Sequence, residues 1–409
     1  MLDKAKRVYG EFPARFWVLV SAAFIDTVGA TALFPFFALY VTQRFQVGMT
    51  QAGLLLSIFS LFGLVGSTVG GALTDQFGRR KIILFGLVFS ALSTLCLGFV
   101  SRLSVLYPLA AVVGLLSNVS GPAHQAIVAD LLPEQQRSEG FGVVRVAANM
   151  AWIVGPTIGG FLAARSYLSL FILDCVISLS TAGIAYRFLP ETQPVQLEGR
   201  PHSLGESMLG YRVALRDHVY VAFLAISMAM LVAYQQLYST LSVFLRDWRG
   251  VPARGYGLLL SINAGTVVLL QFWVTRRTKR FPPALMMALG SVLYLVGLSM
   301  YGFVSAYTLF ALAMVLITVG EMIVVPVGQS LAASLAPEDM RGRYMAIYGL
   351  SWAIPSAIAP WAGGLILDNY NPNWLWYAAG IACAVAAAGF VALHLKTAPR
   401  HKPVAEEAA

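Results

Sequence analysis

The chain has 409 residues, of which 58% are hydrophobic and only 11% charged, and its mean hydropathy is +0.72. A soluble chain carries about 25% charged residues, so this composition excludes a soluble globular domain and leaves a polytopic membrane protein. The net charge of +9 does not point to nucleic acid, because the cations fall in short segments between long apolar runs.

Apolar runs long enough to cross a bilayer, about 20 residues each, occupy residues 16–40, 51–74, 82–100, 103–132, 141–164 and 167–188. After a polar stretch they resume at 219–245, 256–275, 284–303, 306–336, 344–367 and 374–395. The expected fold is therefore all-α and integral to the membrane, with twelve spans. Residues 1–15 are charged and lack the short apolar core of a cleavable signal peptide. With the N-terminus inside, 21 of the 28 Lys and Arg lie in cytoplasmic segments and 6 in external loops, with Arg145 left within a span. The positive-inside rule then puts both termini in the cytoplasm. Cys96, Cys175 and Cys383 each lie inside an apolar run without metal-ligand spacing, so neither a metal site nor a disulfide is expected.

The one long polar connector divides the chain six and six. The reading is a six-helix bundle over 1–188, a cytoplasmic linker over 189–218, a second bundle over 219–395 and a cytoplasmic tail over 396–409. Within the linker, residues 190–202 hold prolines and mixed charge, and residues 204–217 are expected as a short helix along the membrane surface. The halves are copies. Gly53-Leu-Leu-Leu-Ser-Ile58 recurs as Gly257-Leu-Leu-Leu-Ser-Ile262. At the same offset of 204, Pro122, Gln125, Pro133 and Arg137 match Pro326, Gln329, Pro337 and Arg341, and Pro156, Gly159 and Gly160 match Pro360, Gly363 and Gly364. Three blocks on one offset identify a six-helix unit used twice in parallel.

Between the second and third spans lies Gly71-Ala-Leu-Thr-Asp-Gln-Phe-Gly-Arg-Arg-Lys81, a charged turn that must sit at a membrane surface. It resembles the loop between helices 2 and 3 of the major facilitator superfamily, matching it at Gly71, Leu73, Asp75, Gly78, Arg79 and Arg80. The second copy, near residues 275–281, keeps cations but has lost the acid and the glycines. The resemblance implies two pseudo-symmetric six-helix bundles and a conformational latch at Gly71, Asp75, Gly78, Arg79 and Arg80. Asp130, at the cytoplasmic end of the fourth span, is expected to accept a charge-assisted bond from Arg79.

An ionised group at the centre of a span costs about 2.5–3.5 kcal/mol on insertion scales, so it usually lines a cavity. Asp26, Arg145, Asp174 and Glu321 are such groups. In the superfamily, spans 1, 4, 7 and 10 line the central cavity, which would put Asp26 and Glu321 on it from opposite sides. One or both would then carry protons, releasing them when the cavity hydrates or a cation arrives; otherwise each is a hydrogen-bonded packing group. Asp174 reads equally as a structural hydrogen bond or a transport residue, and Arg145 as a snorkelling cation or a partner for an acid.

Gly155-Pro156-Thr-Ile-Gly159-Gly160 in the fifth span makes a small-residue packing face, and it is similar to the helix 5 motif of drug:proton antiporters. Gly320-Glu-Met-Ile-Val-Val-Pro326 resembles the lactococcal-type proton-driven multidrug exporters. In that group acids matching Glu321, Asp75 and Asp130 take part in transport. Two departures stand out: Arg145 occupies the place of an acid, and the fourth span has no intramembrane arginine. Further cavity candidates are Asn118, His124, Gln125, Tyr234, Gln235, Gln236 and Trp352, since aromatic rings beside an acid suit an amphipathic cation.

The expectation is proton-coupled efflux of lipophilic cations by alternating access, by a monomer in the bacterial cytoplasmic membrane among lipids. It needs protons and no cofactor. The alternative on the same scaffold is a proton-coupled sugar, lipid or small-metabolite transporter, which calls for a more hydrogen-bonding cavity. A sensor would need a large cytoplasmic domain. No Gly-x-x-x-x-Gly-Lys-Ser/Thr loop supports an ATP-driven pump, and no catalytic arrangement suggests an enzyme.

Overall fold

The structure is a computed structural model that describes residues 10–192, 214–337 and 340–397, the side chains of Asp75 and Ser138 excepted. The expected surface helix over 204–217 lies outside the described residues up to 213, as do most of the linker and the tail from 398 onward.

Among the described residues twelve helices are long and apolar enough to cross a membrane. In chain order they are α1 (Ala14–Phe45), α2 (Met49–Phe77), α3 (Arg79–Phe99), α4 (Leu103–Leu131), α5 (Glu134–Ala163), α6 (Tyr167–Phe188), α7 (His218–Ser239), α8 (Ala253–Thr278), α9 (Pro283–Phe303), α10 (Tyr307–Leu335), α11 (Arg341–Asn369) and α12 (Asn373–Thr397). Only helices satisfy their own backbone polar groups in lipid, so length and apolarity together dictate this outcome. Leu269, Phe272 and Trp273 on α8 are 67–80% exposed, as side chains facing lipid would be.

The ends differ from the sequence boundaries where proline or a polar residue intervenes. In α1 the helix tightens into a 3-10 turn at Phe34–Phe36 around Pro35 and continues as Phe37–Phe45. In α4 a 3-10 turn at Asn118–Ser120 precedes Pro122, whose missing N–H cannot continue the α-helical ladder. The seventh apolar run, read as one span to residue 245, ends at Ser239 and is followed by a separate helix, Leu241–Arg249.

The duplication extends to backbone geometry. Helical segments begin at Ala14 and His218, Phe37 and Leu241, Met49 and Ala253, Arg79 and Pro283, and Leu103 and Tyr307, each pair one repeat apart. They end likewise at Phe45 and Arg249, Phe99 and Phe303, and Leu131 and Leu335. The two left-handed residues that stop the short helices, Gln46 (φ 53°) and Gly250 (φ 65°), also correspond.

By contacts the described chain forms two compact units. Of the described residues, one holds 10–192, 237–268 and 360–368; the other holds 214–236, 269–337, 340–359 and 369–397. In the first, α1 packs on α5 and α6, α3 on α6, and α2 on α4; in the second, α9 packs on α10 and α12, and α7 on α12. The first unit's core includes Phe12, Phe16, Leu19, Ile83, Leu87, Ala123 and Ile127, all buried.

Candidate functional site

The charged turn is shorter than its motif. α2 continues through Phe77, and Gly78 alone separates it from α3. Gly78 has φ 93° and ψ 155°, a region essentially restricted to glycine. An added Cβ would also stand 2.6 Å from Glu191 Oε1. Gly71, by contrast, has open space around it and makes no close approach.

From this turn the buried Arg79 donates through Nε to Asp130 Oδ2 at 3.0 Å and through Nη1 to the Thr74 carbonyl at 3.4 Å. Thr192 Oγ1 donates to the same Asp130 oxygen at 2.9 Å. Glu191 Oε1 accepts from the Arg80 backbone N–H at 3.2 Å, which places a carboxylate at the N-terminus of α3. The Arg80 guanidinium donates to the Tyr186 carbonyl and lies 5.1 Å from the centre of its ring. The turn is thus tied to α4, to the end of α6 and to the first residues after α6. Sequence reading identified Arg79 and Asp130 but missed Glu191, Thr192 and Tyr186. Gly78→Ala is expected to cost about 1–3 kcal/mol of stability through backbone strain, read as a lowered unfolding temperature in detergent.

A second cluster lies inside the first unit. Asp26 on α1 accepts a hydrogen bond from Ser178 Oγ of α6 at 3.0 Å. Asp174, one turn earlier on α6, is only 5% exposed. Its Oδ1 occupies space left by Gly29 of α1, where a Cβ would come within 2.9 Å. Both carboxylates line a cavity of about 140 Å³, together with Ser90, Thr94, Ser117, Ser178 and the rings of Phe34, Phe37 and Phe59. A cavity of that size holds a benzene-sized group. The Asp26 carboxylate turns to α6, in a cavity walled by α1, α2, α3, α4 and α6 that Asp174 also lines.

His124 Nδ1 donates to the Ser120 carbonyl at 3.0 Å. Asn118 is committed to the α4 break, donating to the Gly114 carbonyl at 2.9 Å. Gln125 and Arg145 are exposed.

The α5 motif is a contact surface on two sides. A Cβ at Gly155 would overlap Thr31 of α1, and one at Gly159 would overlap the Ala32 carbonyl. Gly160 faces Ala253, Arg254 and Gly257 of α8, while a Cβ at Gly257 would overlap the Pro156 carbonyl. Beside these glycines Thr157 Oγ1 and Ser261 Oγ share a hydrogen bond of 2.5 Å, and Ser261 donates to the Ile153 carbonyl at 2.8 Å.

In the second unit Tyr234 is buried, stacked on Tyr294 with ring centres 5.2 Å apart and edge-on to Trp352 at 6.3 Å. Glu321 is half-buried on α10, and its neighbour Gly320 lies against the Tyr294 ring, where a Cβ would come within 2.9 Å. Gln236 is buried and donates to the carbonyls of Val232 (3.2 Å) and Ala359 (3.0 Å); Gln235 is half-buried. Tyr294 was not singled out from sequence, since a lone tyrosine in a span carries no pattern.

Twelve spanning helices from a duplicated unit, with acids and rings held among them, define a secondary transporter. The chain belongs to the major facilitator superfamily, whose family profile, described as Major Facilitator Superfamily, matches residues 19–252 and 239–409. It is a transporter and not an enzyme. A Na(+), Li(+), K(+)/H(+) antiporter of Planococcus maritimus is 27% identical over 84% of this chain and 87% of its own length. Multidrug resistance protein MdtH of Shigella flexneri is 24% identical over 93% and 90%. Among solved structures, a POT family transporter in complex with 5-aminolevulinic acid superimposes with a TM-score of 0.78 at 16% identity, covering 95% of this chain and 96% of that one.

Proposed function

We propose that this transporter exports small lipophilic cations in exchange for protons, with both termini cytoplasmic. The observation that carries the reading is the cavity of the first unit, where Asp26 and Asp174 meet three phenylalanine rings. Two carboxylates facing one small apolar-walled cavity form the arrangement in which a shared proton relieves like-charge repulsion. An organic ammonium replaces that proton in charge, and the rings supply the apolar and cation–π contact. A cation arriving from the cytoplasm displaces the proton inward. After the site reopens to the outside, an incoming proton displaces the cation. One proton in for one monovalent cation out moves no net charge, so the exchange is driven by the pH gradient, about 1.4 kcal/mol per pH unit. Glu321, next in the chain to the Gly320 that abuts the Tyr294 ring, is assigned the same role in the second half. Multidrug resistance and cation/H+ exchange in the relatives' names agree with this chemistry.

The test is uptake of a small organic cation and of a dye into energised inverted vesicles, the direction that corresponds to export. A labelled cation of benzylammonium size is expected to move against its gradient, to stop with an uncoupler and to slow at least tenfold in Glu321→Gln. No uphill movement of any lipophilic cation by the intact protein would sink the reading.

A second reading rests on the hydroxyls of Ser90, Thr94, Ser117 and Ser178 around the same acids. Hard oxygens of that kind suit an alkali cation, and one relative is named for that exchange. Proton release on adding Na+ or K+ to the vesicles, without dye transport, would favour it.

A further inference from the structure

The C-terminal end of α11 closes on the first turn of α2. Asp368 Oδ1 accepts from the Met49 backbone N–H at 2.9 Å, and Oδ2 accepts from the Thr50 N–H at 2.7 Å, across 319 and 318 residues of sequence. These N–H groups belong to the first two residues of α2, which every helix leaves without an internal partner. The α2 N-cap residue, Gly48, has no side chain to serve them. Its lack of a side chain also admits the acid, since a Cβ at Gly48 would overlap Asp368 Oδ2. Deeper in the contact, Gly364 of α11 faces the Met49 carbonyl, where an added Cβ would come within 2.5 Å. The corresponding place in the first copy is Ala164, so the duplicated α8 start at Ala253 has no such acid. The feature is therefore a single-copy addition to the repeat.

We propose that Asp368 is the positioning residue that latches this end of the transporter shut. α2 lies in the first six-helix half and α11 in the second, so access from the Gly48 end requires the carboxylate to leave the α2 N-terminus. The orientation given by the loop cations makes that end external. A carboxylate on a helix N-terminus is favourable but exchangeable with water, which suits a contact made and broken in each cycle. Asp247, in the same recess, is held by Arg246 at 2.6 Å and does not compete for these N–H groups.

The test places spin labels at Gln43→Cys and Asn371→Cys, both exposed, in the full-length chain with the exposed Cys96 replaced by Ser. Asp368→Asn removes the charge and one acceptor. Gly48→Ala leaves the acid intact but blocks its approach. Either folded variant is expected to raise the ratio of long to short inter-label distances about three- to tenfold, the range that loss of a charged cap implies. Asp368→Glu should move it less. Unchanged distances in every folded variant, whatever the unfolding temperature, would overturn the proposal and leave Asp368 a fixed helix cap.

Discussion

Asp26→Asn is expected to abolish uphill transport while leaving passive exchange of substrate across the membrane intact. The substitution is nearly isosteric, and the amide oxygen still accepts from Ser178 Oγ, now 3.0 Å from Asp26 Oδ1. Packing should therefore survive, with a change in unfolding temperature too small to explain the transport loss. The lost property is the ability to exchange a proton for a cation. A one-for-one exchange of proton for monovalent cation is electroneutral, so a pH gradient of one unit, worth about 1.4 kcal/mol, sustains about a tenfold accumulation ratio. In Asp26→Asn that ratio should fall to about one. Exchange of labelled for unlabelled substrate should continue and lose its pH dependence, because the amide does not titrate. Asp174→Asn is expected to give the same decoupling, since the two acids line one cavity. Wild-type accumulation in Asp174→Asn would reduce that residue to a packing role. Wild-type accumulation in Asp26→Asn would remove the proton site from this cavity altogether.

The sequence supplied the twelve spans because bilayer thickness fixes their length, and it supplied the duplication because three blocks share one offset. That offset even carries to the helix ends, such as Phe99 with Phe303 and Leu131 with Leu335. It placed Arg79 near Asp130, as the family resemblance implied. The carboxylate contacts that join distant segments were not legible. Asp26 meets Ser178 across 152 residues, Arg80 meets Glu191 across 111, and Met49 meets Asp368 across 319. Each of these acids stands alone in its stretch with no local spacing to mark it. Helical periodicity says which residues share a face of one span, not which face of another span receives it. Asp174 shows the consequence: on sequence it was an ambiguous acid in a peripheral span, and three-dimensional packing puts it 5% exposed beside Asp26.

Gly257→Val is expected to stop the transport cycle without unfolding the chain. Gly257 lies on α8 against α5, where its Cα is close enough that a Cβ would overlap the Pro156 carbonyl and approach Gly160 Cα to 3.3 Å. The overlapping atom, the Pro156 carbonyl oxygen, is backbone and cannot swing aside, so α8 must move away from α5. Overpacking of this kind costs about 1–3 kcal/mol, or roughly five- to 150-fold in an equilibrium between packed and separated helices. Separation also breaks the Thr157–Ser261 hydrogen bond and the Ser261 bond to the Ile153 carbonyl, one turn along the same interface. The variant should therefore populate a form in which α5 and α8 are apart and should turn over at a small fraction of the wild-type rate. Gly265→Ala, two turns further along α8 with nothing within 4 Å of an added Cβ, is the matched control and should transport normally. Measured together, the two variants separate the loss of helical glycine from the loss of this contact. Equal activity in Gly257→Val and Gly265→Ala would mean that the α5 glycine motif, for all its closeness, serves folding alone.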